Sequence, residues 1–254
     1  FTAMHTRIDI ILYSKSGKDL KDIANQIKDE LDQLERMANY YDAESELYKL
    51  NHTASVQPMP ISSELYNLIE MAFQYRSMTL GCFDVTVQSD NYNKDTWRAV
   101  RLSPDFRTIY FQQPGIRIDL SGFLKGYALE RARKLLSEGG IQDALISMGN
   151  SSVLAMGNHP YGQGWKVGFN KNVSSGNRNE ILLQNECLTT SGNETYERKH
   201  IISPATGMYV EGMKSISVVT SSGIEGEVLS TALFVAKSEQ QDQIRKTFHI
   251  KSIY

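Results

Sequence analysis

Four short segments of this 254-residue chain concentrate polar side chains where an apolar core has no use for them. In Gly81-Cys-Phe-Asp-Val-Thr-Val87, Asp84 and Thr86 share one side of an extended run. An acceptor beside a hydroxyl can grip a ribose or a ring edge, although aspartate at such a junction also serves as a turn or cap residue. In Arg117-Ile-Asp-Leu-Ser-Gly-Phe-Leu-Lys-Gly-Tyr127 a strand-like run ends at Asp119, and a helix follows a Gly-containing turn. Free backbone N–H groups and the positive helix end favour phosphate there. Gly122 permits close backbone approach and Lys125 adds a point charge. The spacing is neither G-x-x-x-x-G-K-[ST] nor G-x-G-x-x-G, and an ordinary strand–helix turn carries the same residues.

The third segment joins Thr189-Thr-Ser-Gly-Asn193 to His200-Ile-Ile-Ser-Pro-Ala-Thr-Gly207. His200 brings the one side chain type whose unperturbed range lies near neutrality, which suits proton transfer, and an exposed structural histidine reads the same way. Pro204 to Gly207 reads as a turn. The fourth is Glu225-Gly-Glu-Val-Leu-Ser-Thr231. Glu227 and Thr231 lie four apart and share a helix face. A carboxylate and a hydroxyl are hard oxygen ligands suited to Mg²⁺ or Ca²⁺. Acids near a helix N-terminus also stabilise its dipole without any metal.

The elements that must position these segments follow from periodicity. Residues 6–14 alternate as a strand, and Ser16 to Asp19 offers a capping-box pattern. Leu20, Ile23, Ile27, Leu31 and Leu34 then repeat at steps of three and four, which predicts an amphipathic helix to Ala38. Residues 40–60 read as irregular. Ser62 and Ser63 open a second helix that stops near Gly81. Short strands are expected over 99–102, 108–112 and 116–120, and a third helix over 126–136 before Gly139-Gly140. Strands follow at 143–147, 152–156, 165–169, 180–183 and 215–220, then helices at 225–237 and 240–247. Helices and strands mix without a regular βαβ rhythm, so the class is α+β.

Composition narrows the rest. Lys and Arg total 27 against 29 Asp and Glu, a formal charge of −2, which argues against broad nucleic-acid binding. With 41% hydrophobic residues the chain can bury a core as one large domain or two packed lobes. No run approaches about 18 consecutive apolar residues, so no membrane span is predicted. Cys82 and Cys187 match no metal-site spacing and read as small buried hydrophobes. Because Phe rather than Met comes first, a mature or trimmed product is expected, its export signal already absent.

In this order, the segments resemble the FAD:protein FMN transferase family, also called the ApbE-like or thiamine-biosynthesis lipoprotein family. Ala3-Met-His-Thr6 is similar to its Met-Gly-Thr entry strand, and Tyr41 to Asn51 to its tyrosine-to-Asn segment. Phe83-Asp-Val-Thr86 matches Phe-Asp-x-Thr, and Ile118 to Ala128 matches Asp-Leu-Gly-Gly-x-x-Lys-Gly-Tyr-Ala. Thr190-Ser-Gly192, His200 to Gly207 and Glu227-Val-Leu-Ser-Thr231 match the remaining motifs, and seven matches in order are specific where each alone is weak.

The resemblance implies one domain over residues 1–254. Its expected fold is α+β and two-lobed, with mixed β-sheets, flanking helices and FAD between the lobes. It implies that Met4 and Tyr41 pack around the flavin. Cys82, Phe83, Asp84, Asp119, Lys125 and Ile202 would line the FAD site. The Gly122 carbonyl, Glu227 and Thr231 would hold Mg²⁺, and His200 stands at the family's proposed base. The implied reaction attaches FMN through a phosphoester to a Ser or Thr hydroxyl of an acceptor flavoprotein and releases AMP. It also implies an exported, periplasmic protein anchored to the inner membrane by a removed or lipidated N-terminus. The sequence departs from the pattern at Glu227 and Ser203, where Asp is usual, and at His5, where Gly is usual. Ser147 to Ser152 replaces a Gly-Gly-Asn turn, and Asn91 to Trp97 lacks the usual Trp-Gly-Phe. Two other readings stand beside transfer: a Mg-dependent FAD pyrophosphatase and a non-catalytic FAD binder.

Overall fold

The chain opens with a hairpin, β1 (Thr2–Ala3) against β2 (Thr6–Tyr13), whose two connecting residues, Met4 and His5, have φ of 52° and 56°. Two left-handed residues suit the twist of a two-residue hairpin, but side chains there cost strain that glycine avoids. A computed structural model describes residues 1–14, 19–149, 151–170, 178–193, 200–212 and 214–254. The apolar stripe read from the sequence forms α1 (Lys21–Ala38), burying Ile23, Ile27, Leu31, Leu34 and Ala38. Its expected capping box at Ser16 lies outside the described residues, while Asp19 Oδ1 accepts a bond from the Lys21 N–H at 2.9 Å.

A short helix, α2 (Glu46–Thr53), and a two-residue strand, β3 (Met59–Pro60), come next, followed by α3 (Ser63–Met78). Ser62 caps α3 by accepting from the Leu65 N–H at 3.3 Å. A one-turn 3₁₀ helix (Thr96–Ala99) leads into β4 (Val100–Ser103) and β5 (Thr108–Phe111), and α4 spans Ser121–Glu138. Then come β6 (Asp143–Met148), β7 (Ser152–Met156), β8 (Trp165–Asn170), β9 (Arg178–Leu183) and β10 (Glu186–Gly192). The chain closes with β11 (Ile202–Ser203), β12 (Met208–Tyr209), β13 (Ser215–Thr220), α5 (Gly223–Val235), α6 (Ser238–Thr247) and β14 (Ser252–Ile253).

These strands form a seven-stranded sheet ordered β1-β2-β6-β7-β10-β13-β14, with smaller sheets β3-β5-β4, β8-β9 and β11-β12. The α+β class follows, and each pairing among the described residues is antiparallel. Strand β7 is buried along its whole length because side chains alternate between two apolar layers. Leu154 and Met156 face α1 and α4, whereas Val153 and Ala155 face Trp165, Phe169 and Leu183 of the β8–β9 hairpin. Helix α5 is buried along most of its length and sits between α4 and the large sheet. Its contact with α4 is nearly backbone to backbone. A Cβ built on Gly126 would lie 2.3 Å from the Gly223 carbonyl and 2.9 Å from Glu227 Cγ, so only glycine fits.

Three expectations shift. Residues 46–53 are helical rather than irregular, capped by Ser45, which accepts from the Tyr48 N–H at 3.0 Å. Helix α4 starts at Ser121, five residues before the expected 126. The run 116–120 is not a sheet strand. Asn51 holds it instead, donating to the Ile118 carbonyl at 2.9 Å and accepting from the Ile118 N–H at 2.8 Å. An amide side chain thus substitutes for a neighbouring strand.

Candidate active site

One wall of the site begins where α3 ends. Asp84 is buried, and both of its carboxylate oxygens are occupied. Oδ1 accepts from the Thr86 N–H at 2.8 Å and from the Thr86 hydroxyl at 2.6 Å. Oδ2 accepts from Arg76 Nε at 2.7 Å and from the Tyr92 hydroxyl at 3.3 Å. The segment is a turn rather than the extended run expected, and Asp84 and Thr86 grip each other rather than presenting a free pair. Arg76 also donates to the Lys94 carbonyl at 2.8 Å and lies 4.5 Å over the Trp97 ring. A buried carboxylate needs this degree of compensation to remain charged.

The second wall is the start of α4. Asp119 Oδ1 accepts from the Ser121 N–H at 2.9 Å, closing the turn that leads into α4, while its own N–H bonds Val85 O at 2.8 Å. Gly122 lies in that turn beside the Phe83 ring, which packs edge-on against Phe123. One helical turn further on, Lys125 Nζ donates to the Ser151 hydroxyl and stands 3.9 Å from Glu227 Oε1.

Glu227 lies in the second turn of α5, opposite Lys125, and is 5% exposed. The Ser152 hydroxyl donates to its Oε1. Burial raises its pKa above the ordinary 4.5, against the opposing pull of Lys125 and Ser152. One turn along the same face, Thr231 Oγ1 is 2.9 Å from Ser191 Oγ, which is 2.8 Å from Ser230 Oγ. Among the described residues no group of three or more His, Cys, Asp or Glu gathers to hold a metal. The donor set is instead one undercompensated carboxylate, hydroxyls and the backbone of the first α4 turn. Such all-oxygen donors fit a hard divalent ion rather than zinc.

These walls enclose a cleft of about 1120 Å³. It brings together ten of the twelve residues singled out from the sequence: Cys82, Phe83, Asp84, Asp119, Gly122 and Lys125, with His200, Ile202, Glu227 and Thr231. Met4 and Tyr41 are not among its lining residues. Met4 packs partly buried between two core clusters, and its N–H bonds Glu35 Oε2 at 2.7 Å. Tyr41 is 74% exposed and packs edge-on against Tyr40 and His5. The β11–β12 hairpin carries the far wall. Val210 N–H bonds the Ile201 carbonyl at 2.8 Å, and His200 precedes it, exposed at the cleft. Both cysteines are free and buried. Desolvation raises the Cys82 pKa and pushes Cys187 up to about 12. Neither is a ready thiolate at neutral pH. The sequence reading missed Arg76, Tyr92, Ser151 and Ser152 as parts of the site. Their roles depend on partners up to 112 positions away, which no local spacing reveals.

The architecture is that of an α+β protein with one large polar cleft between a helix pair, a sheet and a hairpin. Residues 4–253 match the profile of the ApbE family, and the chain belongs to that family. It is 24% identical over 273 residues to the FAD:protein FMN transferase of Chlamydia muridarum, covering 94% of this chain and 83% of that one. The flavin transferase ApbE of Vibrio cholerae superposes with a TM-score of 0.86 at 20% identity, covering 100% of this chain and 90% of that one. The ApbE protein of Thermotoga maritima gives a TM-score of 0.81 at 22% identity, with coverages of 97% and 88%. The two structures share the fold.

Proposed function

We propose that the chain is an FAD:protein FMN transferase, acting as one unit on FAD and an acceptor flavoprotein. The observation that carries this reading is the meeting of Lys125, Glu227, Thr231 and His200, from three separate parts of the chain, around one cleft. Family membership and the name shared by relatives that this chain covers well support it.

In this reading the acceptor's Ser or Thr oxygen attacks the flavin-side phosphorus of FAD. The P–O bond to the adenylate breaks, AMP leaves, and a phosphoester joins FMN to the acceptor. His200 accepts the hydroxyl proton, a role its exposure at the cleft allows. Lys125 offers fixed positive charge to the pyrophosphate at the positive end of α4. Glu227, Thr231 and the Gly122 carbonyl would hold Mg²⁺. Once bound, that ion would neutralise charge developing on the leaving phosphate. The reading includes export to the periplasm with an N-terminal lipid anchor, supported by the family resemblance. No described helix is long and apolar enough to cross a membrane.

The test is product analysis after incubation with FAD, Mg²⁺ and a short Ser/Thr acceptor domain. FMN attached to the acceptor with stoichiometric AMP is the expected outcome. Free FMN plus AMP without adduct would replace transferase with pyrophosphatase, and intact FAD would leave only a binder.

A further inference from the structure

Two walls of the cleft belong to segments far apart in sequence: residues 82–85 after α3, and His200, Ile201, Ile202 and Pro204 at the entry and turn of the β11–β12 hairpin. Tyr92 touches both. Its hydroxyl lies 3.3 Å from Asp84 Oδ2 and 3.2 Å from the Pro204 carbonyl. Both distances exceed a simple hydroxyl bond, as expected when one proton is divided between two acceptors. Burial and the Asp84 charge raise the Tyr92 pKa, so this proton stays on the ring oxygen throughout the neutral range.

The surrounding geometry suits a fastening. Thr206 and Gly207 N–H groups both bond the Ser203 carbonyl, at 3.1 and 2.8 Å, which closes the hairpin turn. Gly207 has φ of +69°, and a Cβ there would lie 3.3 Å from Tyr92 Cδ1, so the ring packs closely against the turn. The opposite end of the hairpin is tied by Asn193, which donates to the Val210 and Gly212 carbonyls at 2.8 and 3.1 Å. On the other side of Tyr92, Asp84 is immobilised by Arg76 and Thr86. The hydroxyl therefore joins the hairpin to a carboxylate that four hydrogen bonds hold in place.

We propose that Tyr92 is a positioning residue, a clasp that fixes the hairpin bearing His200 against the Asp84 wall. It does not touch the reacting atoms. It sets where His200 stands relative to the incoming hydroxyl, and this part rests on the transferase reading of the cleft. Geometry errors of this kind reduce turnover more than substrate binding.

The experiment uses the full chain and Tyr92→Phe, which keeps the ring on Gly207 and deletes only the hydroxyl. Amide hydrogen exchange at Thr206, Gly207 and Val210 is expected to rise about tenfold in the variant, while core helices keep their protection. FMN transfer is expected to fall about tenfold in kcat, with FAD affinity from flavin fluorescence held within about twofold. Unchanged hairpin exchange would overturn the clasp, as would a loss of FAD affinity matching the loss of kcat. A wild-type chain that transfers no flavin would sink the transferase reading, and the exchange arm would still decide the clasp.

Discussion

Two buried carboxylates face the same cleft, and they are compensated in opposite ways. Asp84 accepts four hydrogen bonds, one from a guanidinium at 2.7 Å. Among the described residues Glu227 accepts a single serine hydroxyl, and Lys125 stands 3.9 Å away. Asp84 is finished: its charge is spent on holding the loop after α3 to α3 itself. Glu227 keeps little compensation from the protein, and its burial disfavours ionisation. In one site, the saturated acid builds the wall and the undersaturated acid faces the chemistry.

Breaking the saturated side should give the largest effect on stability. Asp84→Ala strands Arg76, whose side chain is only 14% exposed, and is expected to cost about 3 kcal/mol or more, read as a lower urea midpoint. Glu227→Gln should do the reverse. Turnover with Mg²⁺ falls about 10²-fold or more, while the metal-free chain is at least as stable as wild type at neutral pH. The sign follows from the raised pKa. A group raised on folding contributes stability when protonated, fully present below the ordinary 4.5 and lost as pH rises through the folded value. Metal-free wild type should therefore lose stability across that window, and Glu227→Gln should lack that slope in thermal melts at several pH values.

His200→Ala is expected to slow transfer about 10²-fold while sparing FAD affinity, because the base acts on the incoming hydroxyl. A large affinity loss with normal turnover would remove His200 from that role. The smallest effect is expected from Ser152→Ala, which deletes the one hydroxyl bond on Glu227. Metal affinity should fall about tenfold, measurable by titration, with FAD binding retained.

The same contrast explains what the sequence could reveal. Glu227 and Thr231 were legible because four residues on a helix is a local distance, and the helix formed as expected. The purpose of Asp84 was not legible. Its spacing to Thr86 suggested an open ligand grip, but Arg76 and Tyr92 reach it from outside the motif. Residues 116–120 have strand-like side chains, yet Asn51 satisfies their backbone from 67 positions away. Helix α2 was missed because eight residues with only Leu47 and Leu50 buried show too little periodicity. Strand β10 was missed because only Cys187 and Leu188 of Glu186–Gly192 are apolar, while its hydroxyls serve the cleft and the neighbouring strand, as in the 2.7 Å contact of Thr190 with Ser217. Ser151 and Ser152 look like an altered turn until the fold sets them against Lys125 and Glu227.

The most direct test of this contrast is a calorimetric titration of Mg²⁺ into the FAD-loaded chain, wild type beside Glu227→Gln. One ion bound by wild type, with affinity at least about tenfold weaker in the variant, is the predicted result. Equal affinity in both would show that Glu227 does not hold the metal, and the assignment of the undersaturated acid would fall.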